Sequence, residues 1–308
     1  MSSSLFFLCT VAYAYDGFLA GVLTAPESFF KGNSLRLQIV TNYIESTLDS
    51  MKWMLFVSGT CEEPMRQWPF VDCIEIPWQL ESIAFRAPYV DWLLRTARQR
   101  ARSRYLLYSN FGIVVRGDVI ATIKNSVQQV REPHVFISAN PIALWPRKVY
   151  KWNATEELVE HIRETGRTYE FPGWACEWFV INRANPIFRR IPPFLIGRPR
   201  WDNWVMQFSI LHDKVAPLDV SSQLDVLHLE HGESAEAAKD IKSMTVTGWE
   251  YNHHVGVDSG GHTYGNFACF PYKLDSIGIV VNQSSLCRGL PWFNQQNFDY
   301  QRARTNFL

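Results

Sequence analysis

Net charge is what this sequence most plainly lacks: 30 Lys and Arg are matched by 30 Asp and Glu. No molecule-wide field would gather a polyanion, so nucleic acid is disfavoured as a partner. Charged residues of either sign are only 19% of the chain against 47% hydrophobic, and 308 residues suffice to bury a large core in one big or two small domains. The six cysteines include no CxxC pair, which argues against a zinc knuckle; their even number permits disulfides without requiring them. Absent too are Gly/Ser linkers, low-complexity tracts and internal repeats, so one compact unit is expected. No G-x-S-x-G elbow, Walker loop or complete dinucleotide fingerprint occurs, which leaves hydrolase, P-loop and dehydrogenase readings without a motif. The uncharged stretch Ser4–Tyr15 is short of the roughly 20 residues a bilayer core requires, so no transmembrane anchor is expected there. It reads as the h-region of a signal peptide lacking a basic n-region, or equally as a buried first strand.

Aromatic residues are abundant, at 14% with 12 Trp. That suits a surface that stacks on sugar rings or bases, and a lectin-like carbohydrate binder is one reading of it. The triplets Asn153-Ala-Thr and Asn282-Gln-Ser are glycosylation acceptors that would fit the secretory route; a cytoplasmic location stays open beside it.

Apolar runs at Phe18–Leu23, Trp53–Val57, Val71–Ile76, Tyr105–Tyr108 and His134–Ser138 have the length and content of buried strands. Between them, Ala84–Arg104 carries Tyr89, Leu93, Leu94 and Ala97 at helical spacing, with Arg95, Arg98, Arg100 and Arg102 on much of the remainder. That basic cluster reads as a solvated helix face in preference to a polyanion site. Thr155–Glu164 reads as a second helix, with Glu156 and Glu157 in its first turn. Strands alternating with helices predict a single α/β, Rossmann-like domain, its central sheet mostly parallel with helices on both faces. Ligands of such sheets bind beyond the carboxyl ends of the strands. The expected division is 1–16 as signal or first-strand segment, 17–275 as the domain, and 276–308 as a C-terminal extension.

The run from Ile191 through Pro192, Pro193, Phe194, Leu195, Ile196, Gly197, Arg198, Pro199, Arg200, Trp201, Asp202 and Asn203 to Trp204 is the richest in chemistry. The prolines fix the backbone, Gly197 permits a close approach, and Asp202 arrives framed by two indoles. Rings cover the apolar face of a sugar while the acid accepts a hydroxyl proton. The alternative is a structural Arg198–Asp202 ion pair with both tryptophans in the core.

This run resembles the "PPF-x-IGR-x-x-WDNW" segment of a group of GT-A-type glycosyltransferases in the nucleotide-diphospho-sugar transferase superfamily. Tyr105–Ile113 is similar to the superfamily strand ending in an "N-x-D-I" or DxD-like element, Cys176–Ile181 to its acidic-aromatic strand, and Leu218–Ser222 with Val226–His231 to its downstream "D-A-T/S" and "H-Q-x-H" segments. Trp249, Glu250, Tyr251 and Asn252 resemble a C-terminal "G-x-E-x-N" stretch. The resemblance, over roughly Gly17 to Leu274, implies a GT-A-like domain that moves a hexose from a UDP- or GDP-linked donor to the hydroxyl of an acceptor. Asp202 would act as general base on the acceptor if the reaction inverts stereochemistry. Thr24, Ala25, Pro26, Ser109 and Asn110 would cradle the nucleotide, with Arg198 facing the diphosphate. Trp201, Asn203 and Trp204 would shape the sugar pocket, and Glu250 would touch a sugar hydroxyl. Asn110 and His228 (or His231) are the metal candidates. Gly112 stands where the family has the acid that helps bind Mn²⁺ or Mg²⁺, and Asp118 is no obvious replacement, so metal dependence and catalysis are both in question. The rival reading is a catalytically impaired protein that binds nucleotide-sugar or glycan without transfer. Lastly, His253, His254, Asp258 and His262 fit no standard zinc site; Gly256, Gly260 and Gly261 among them say acceptor-side loop.

Overall fold

The apolar runs fold as strands because each can be covered on both sides. The computed structural model describes residues 17–26, 30, 35–77, 81–82, 87–144, 173–229, 250–259 and 265–281. In chain order the strands are β1 (Leu19–Pro26), β2 (Lys52–Ser58), β3 (Asp72–Glu75), β4 (Glu81–Ser82), β5 (Ala87–Pro88), β6 (Tyr105–Asn110) and β7 (Ile113–Arg116). There follow β8 (His134–Ser138), β9 (Pro141–Leu144), β10 (Trp178–Asn182), β11 (Val215–Asp219), β12 (Asp225–Leu229), β13 (Tyr272–Asp275) and β14 (Gly278–Val281). The helices are α1 (Leu35–Thr47), α2 (Glu62–Gln67), α3 (Val90–Arg100), α4 (Val119–Gln129), α5 (Ile187–Arg190) and α6 (Trp201–Leu211).

Nine strands form the main sheet in the order β14-β13-β11-β8-β10-β6-β1-β2-β3. It is mostly parallel, as expected; β10 runs against both its neighbours and β14 against β13. Successive side chains of a strand face opposite ways, and the core divides accordingly. Leu23, Leu55, Leu107 and Val180 pack on one face with the α1 and α4 residues Ile44 and Ile123. Val22, Met54, Leu106 and Phe179 pack on the other with Leu93 of α3 and Val205 of α6. Helices therefore cover both faces. A second sheet, β7-β12-β9, stands apart from the first.

The chain lays β1, β2 and β3 outward in one direction, then returns through α3 to place β6 on the other side of β1. That reversal opens a crevice at the carboxyl ends of β1 and β6, where Thr24 and Asn110 are register partners.

Helix α3 starts at Val90, later than the sequence pattern suggested, because Ala87 and Pro88 are held extended in β5. Its apolar stripe of Val90, Leu93, Leu94 and Ala97 is buried. The arginines of its other face serve the fold: Arg95 meets Asp91 at 3.4 Å, Arg100 meets Asp72 at 3.6 Å, and Arg98 Nε donates to the Arg183 carbonyl at 2.9 Å. Asp118 is the N-cap of α4 and accepts from the Ala121 N–H at 2.9 Å, a role worth about 1 kcal/mol. A disulfide joins Cys61, ahead of α2, to Cys73 in β3, and Cys269 is disulfide-bonded as well. Closing a 12-residue separation of this kind contributes about 3 kcal/mol in the chain-entropy account.

Residues 250–258 are helical, which corrects the loop expected around His253 and His254; Gly256 is carried inside the helix. His262, the helix expected over Thr155–Glu164, both glycosylation triplets and the first 16 residues lie outside the described residues. Among the described residues no helix is long and apolar enough to cross a membrane.

Candidate active site

The crevice at the strand tips is a cleft of about 660 Å³. It is lined by Thr24 and Ala25 from β1, Ser58 from β2, Asn110 from β6 and Phe111 just after it. Facing them are Arg198, Trp201, Asp202 and Asn203 from the Pro-Pro run and the start of α6, with Glu177, His228 and Trp174 between. Eight of the residues singled out from sequence thus meet in one cavity: Thr24, Ala25, Asn110, Arg198, Trp201, Asp202, Asn203 and His228.

Asp202 sits in the first turn of α6, behind Arg200, a non-glycine residue at φ 90°. Such a φ is strained for a residue with a Cβ, and it is what turns the chain sharply into the helix. Asp202 Oδ2 takes the N–H of Cys176 at 3.2 Å. Burial pushes its carboxyl up from 3.8 to about 6, although backbone N–H groups at 176 and at the opening of the helix pull the other way.

The two indoles beside it have different fates. Trp201 lines the cleft and stands edge-on to Tyr108, with ring centroids 5.1 Å apart. Trp204 is in the core, stacked on Phe208 at 4.9 Å and tilted against Phe194 at 5.8 Å, and does not line the cavity. Asn203 anchors the opposite rim, its amide donating to the carbonyls of Trp174 at 2.8 Å and Gly265 at 3.3 Å. Trp174 lines the cleft and is 58% exposed, against 3% for Trp201.

Arg198 lines the cleft, and partial burial lowers its pKa from the usual value without threatening its charge. His228 on β12 lies with Nε2 3.5 Å from Glu177 Oε2. Ser109 is not in the cavity; its hydroxyl is buried and donates to the Asn110 carbonyl at 3.2 Å. Pro26 is the last residue of β1. Glu250 is exposed at the start of the 250–258 helix and does not line the cleft.

Sequence reasoning passed over Glu177, Tyr108, Trp174 and Arg36. Glu177 had a signal, being the acid at the head of the apolar strand 178–182. Tyr108 had none, because a strand tyrosine reads as core. It is in fact fully buried, with its hydroxyl pKa raised by desolvation, hydrogen-bonded to Thr24 and donating to Asn110 Oδ1.

The residues at the tip of β6 do not fit the divalent cation that the sequence resemblance implies. Gly112 has φ +94°, and a Cβ built there would overlap the guanidinium of Arg36, which donates to the Phe111 carbonyl. Among the described residues no three His, Cys, Asp or Glu side chains converge as a cation site.

No family model matches the sequence, and no curated protein matches it. Solved structures are similar at low identity. Glucosyl-3-phosphoglycerate synthase from Mycobacterium tuberculosis, in complex with phosphoglyceric acid, is 10% identical over 78% of this chain and 81% of that one, with a TM-score of 0.44. Mannosyl-3-phosphoglycerate synthase from Rubrobacter xylanophilus is 13% identical over 77% and 74%, TM-score 0.43. TarS from S. aureus, in complex with UDP-GlcNAc, is 7% identical over 78% and 71%, TM-score 0.43. HddC from Yersinia pseudotuberculosis is matched over only 58% of its length and 40% of this chain, TM-score 0.29. Scores of this size do not bear on activity.

Proposed function

We propose that this protein is a glycosyltransferase that moves a hexose from a UDP- or GDP-linked donor to an acceptor hydroxyl. One observation carries the reading: the strand-tip residues Thr24, Ala25 and Asn110 share a single cleft with Asp202. A crevice at the reversal of strand order is where open α/β sheets hold nucleotides. Asp202 lines the same cleft, where it would meet the hydroxyl of an acceptor.

In this reading Asp202 is the general base. A carboxyl near pH 6 is mostly ionised at neutrality, yet far more basic than an exposed aspartate, which is the compromise that proton abstraction calls for. Its geometry is held by the Cys176 N–H and by the helix that carries it. Trp174 offers an apolar face to a sugar ring, and Arg198, whose Nη1 donates to the Gly197 carbonyl at 3.0 Å, brings its positive charge to the cleft for a phosphate oxygen. The disulfide Cys61–Cys73 supports an oxidising compartment and so the secretory alternative.

The test is release of nucleoside diphosphate from UDP-glucose, UDP-GlcNAc and GDP-mannose, with and without simple sugar acceptors. Turnover that Asp202→Asn abolishes supports the proposal; turnover unchanged in that variant removes Asp202 from the role. A second reading, binding without transfer, is favoured by the packing of Arg36 where the family's acid would stand. Calorimetric binding of these donors with no product released would select it.

A further inference from the structure

The atoms of the 110–112 turn suggest how the cleft deals with the charge of a diphosphate. A hard divalent cation needs oxygen ligands, and a turn that binds one must present them. Here each oxygen of the turn already accepts a hydrogen bond. Asn110 Oδ1 accepts from the Tyr108 hydroxyl, and the Asn110 carbonyl from Ser109 Oγ at 3.2 Å. The Phe111 carbonyl accepts from Arg36 Nη2, and the Gly112 carbonyl from the Leu229 N–H at 2.8 Å.

Tyr108 cannot turn away from this duty. Its ring is stacked on Phe179 with centroids 5.0 Å apart and is blocked edge-on by Trp201. A tyrosine has one proton to give, and Asn110 receives it, so the amide is oriented with its oxygen inward and its two N–H donors left for the cavity it lines. Arg36 is fixed as firmly, its guanidinium 5.8 Å over the Phe111 ring, which is itself stacked on Trp68. It is permanently positive and occupies the space that a side chain at 112 would need. Among the residues that line the cleft, the Asn110 amide and the Arg198 guanidinium are hydrogen-bond donors.

We infer that this cleft binds the diphosphate of its nucleotide directly, through the Asn110 amide and the Arg198 guanidinium, with no divalent cation between them. The inference rests on the nucleotide-sugar reading above. Tyr108 is the positioning residue that commits Asn110 to donating.

Calorimetry on the full chain with UDP and GDP, in EDTA and again in millimolar MnCl₂, tests this. The expected result is a Kd that agrees within about threefold between the two conditions, with Arg198→Gln weakening binding in EDTA by about tenfold or more. Tyr108→Phe is expected to weaken binding severalfold, and Asn110→Ala to add little in that background, the signature of two residues acting as one unit. Binding that tightens tenfold or more with Mn²⁺ overturns the inference and leaves the nucleotide-sugar reading standing. If neither nucleotide binds in either condition, that reading fails and this inference falls with it. The wild-type comparison decides the matter even if a variant does not fold.

Discussion

Two hollows open at opposite ends of the same strands. One lies at the carboxyl ends of β1, β2 and β6 and measures about 660 Å³; the other lies at the amino ends, beside Leu19, Lys52 and Asp72, and measures about 920 Å³. The larger has few polar groups turned to one point: Asp49 and Lys52 are exposed, and Asp72 meets Arg100 at 3.6 Å. The smaller gathers a desolvated carboxyl, a guanidinium, an amide locked by a buried tyrosine, and a histidine against a glutamate. Convergence of polar side chains, and not volume, is the ground on which the carboxyl end is proposed as the site.

The sharpest way to break that contrast is to neutralise its central acid. Asp202→Asn is expected to lower kcat by about 10²–10⁴-fold while changing the nucleotide Kd little, as losing a general base does; coupled turnover and calorimetry on one preparation check both halves. Filling the two hollows comes next. Ser58→Trp at the carboxyl end is expected to cost about a hundredfold in kcat/KM by obstructing near-attack geometry, whereas Ser50→Trp at the amino end, on an exposed site, should change it less than about twofold. Equal losses from both would undo the distinction.

A smaller effect is pH dependence. As the proposed general base Asp202 would have to be ionised, so kcat/KM should rise about tenfold per unit up to about pH 6 and level off above it. The same shift sets a stability sign. A carboxyl whose pKa rises on folding holds its proton more tightly when folded, so it costs nothing below the unfolded value and its full penalty above the folded one. Asp202→Asn should therefore stabilise the protein at pH 8 by about 1–2 kcal/mol, less than full linkage because the carboxyl is partly open to cleft solvent, and the gain should vanish by pH 4. Smallest is Arg200→Gly, which relieves the φ of 90° and should add about 1 kcal/mol in thermal or denaturant melts with kcat nearly unchanged.

Much of the carboxyl end was legible in the sequence. The strands 105–110 and 134–138 announced themselves by apolar runs, and the Pro-Pro segment by its unusual density of prolines and indoles. What was illegible depended on position along a helix and on partners distant in the chain. Trp201 and Trp204 looked equivalent on paper; they share one buried face of the helix, but Trp204 lies three residues, about 4.5 Å, further along the axis, where it meets Phe194 and Phe208 and not the cleft. Asn110 looked like an oxygen ligand until Tyr108, two residues earlier on the same strand, proved to use that oxygen. Arg36 lies 75 positions from the carbonyl it binds, and no local pattern could have paired them.

Strand β10 is threaded backwards between β6 and β8. Its neighbour β6 hands the cleft its last residue, Asn110; β10 hands it the approach to its first, from Trp174 to Glu177. The chain thus enters the sheet through the doorway of the cavity. Substitutions at Trp174 and Ala175, ahead of the strand, would reshape that threshold while the ladder of β10 with β6 and β8 stays in place, giving the scaffold a place to vary what it admits.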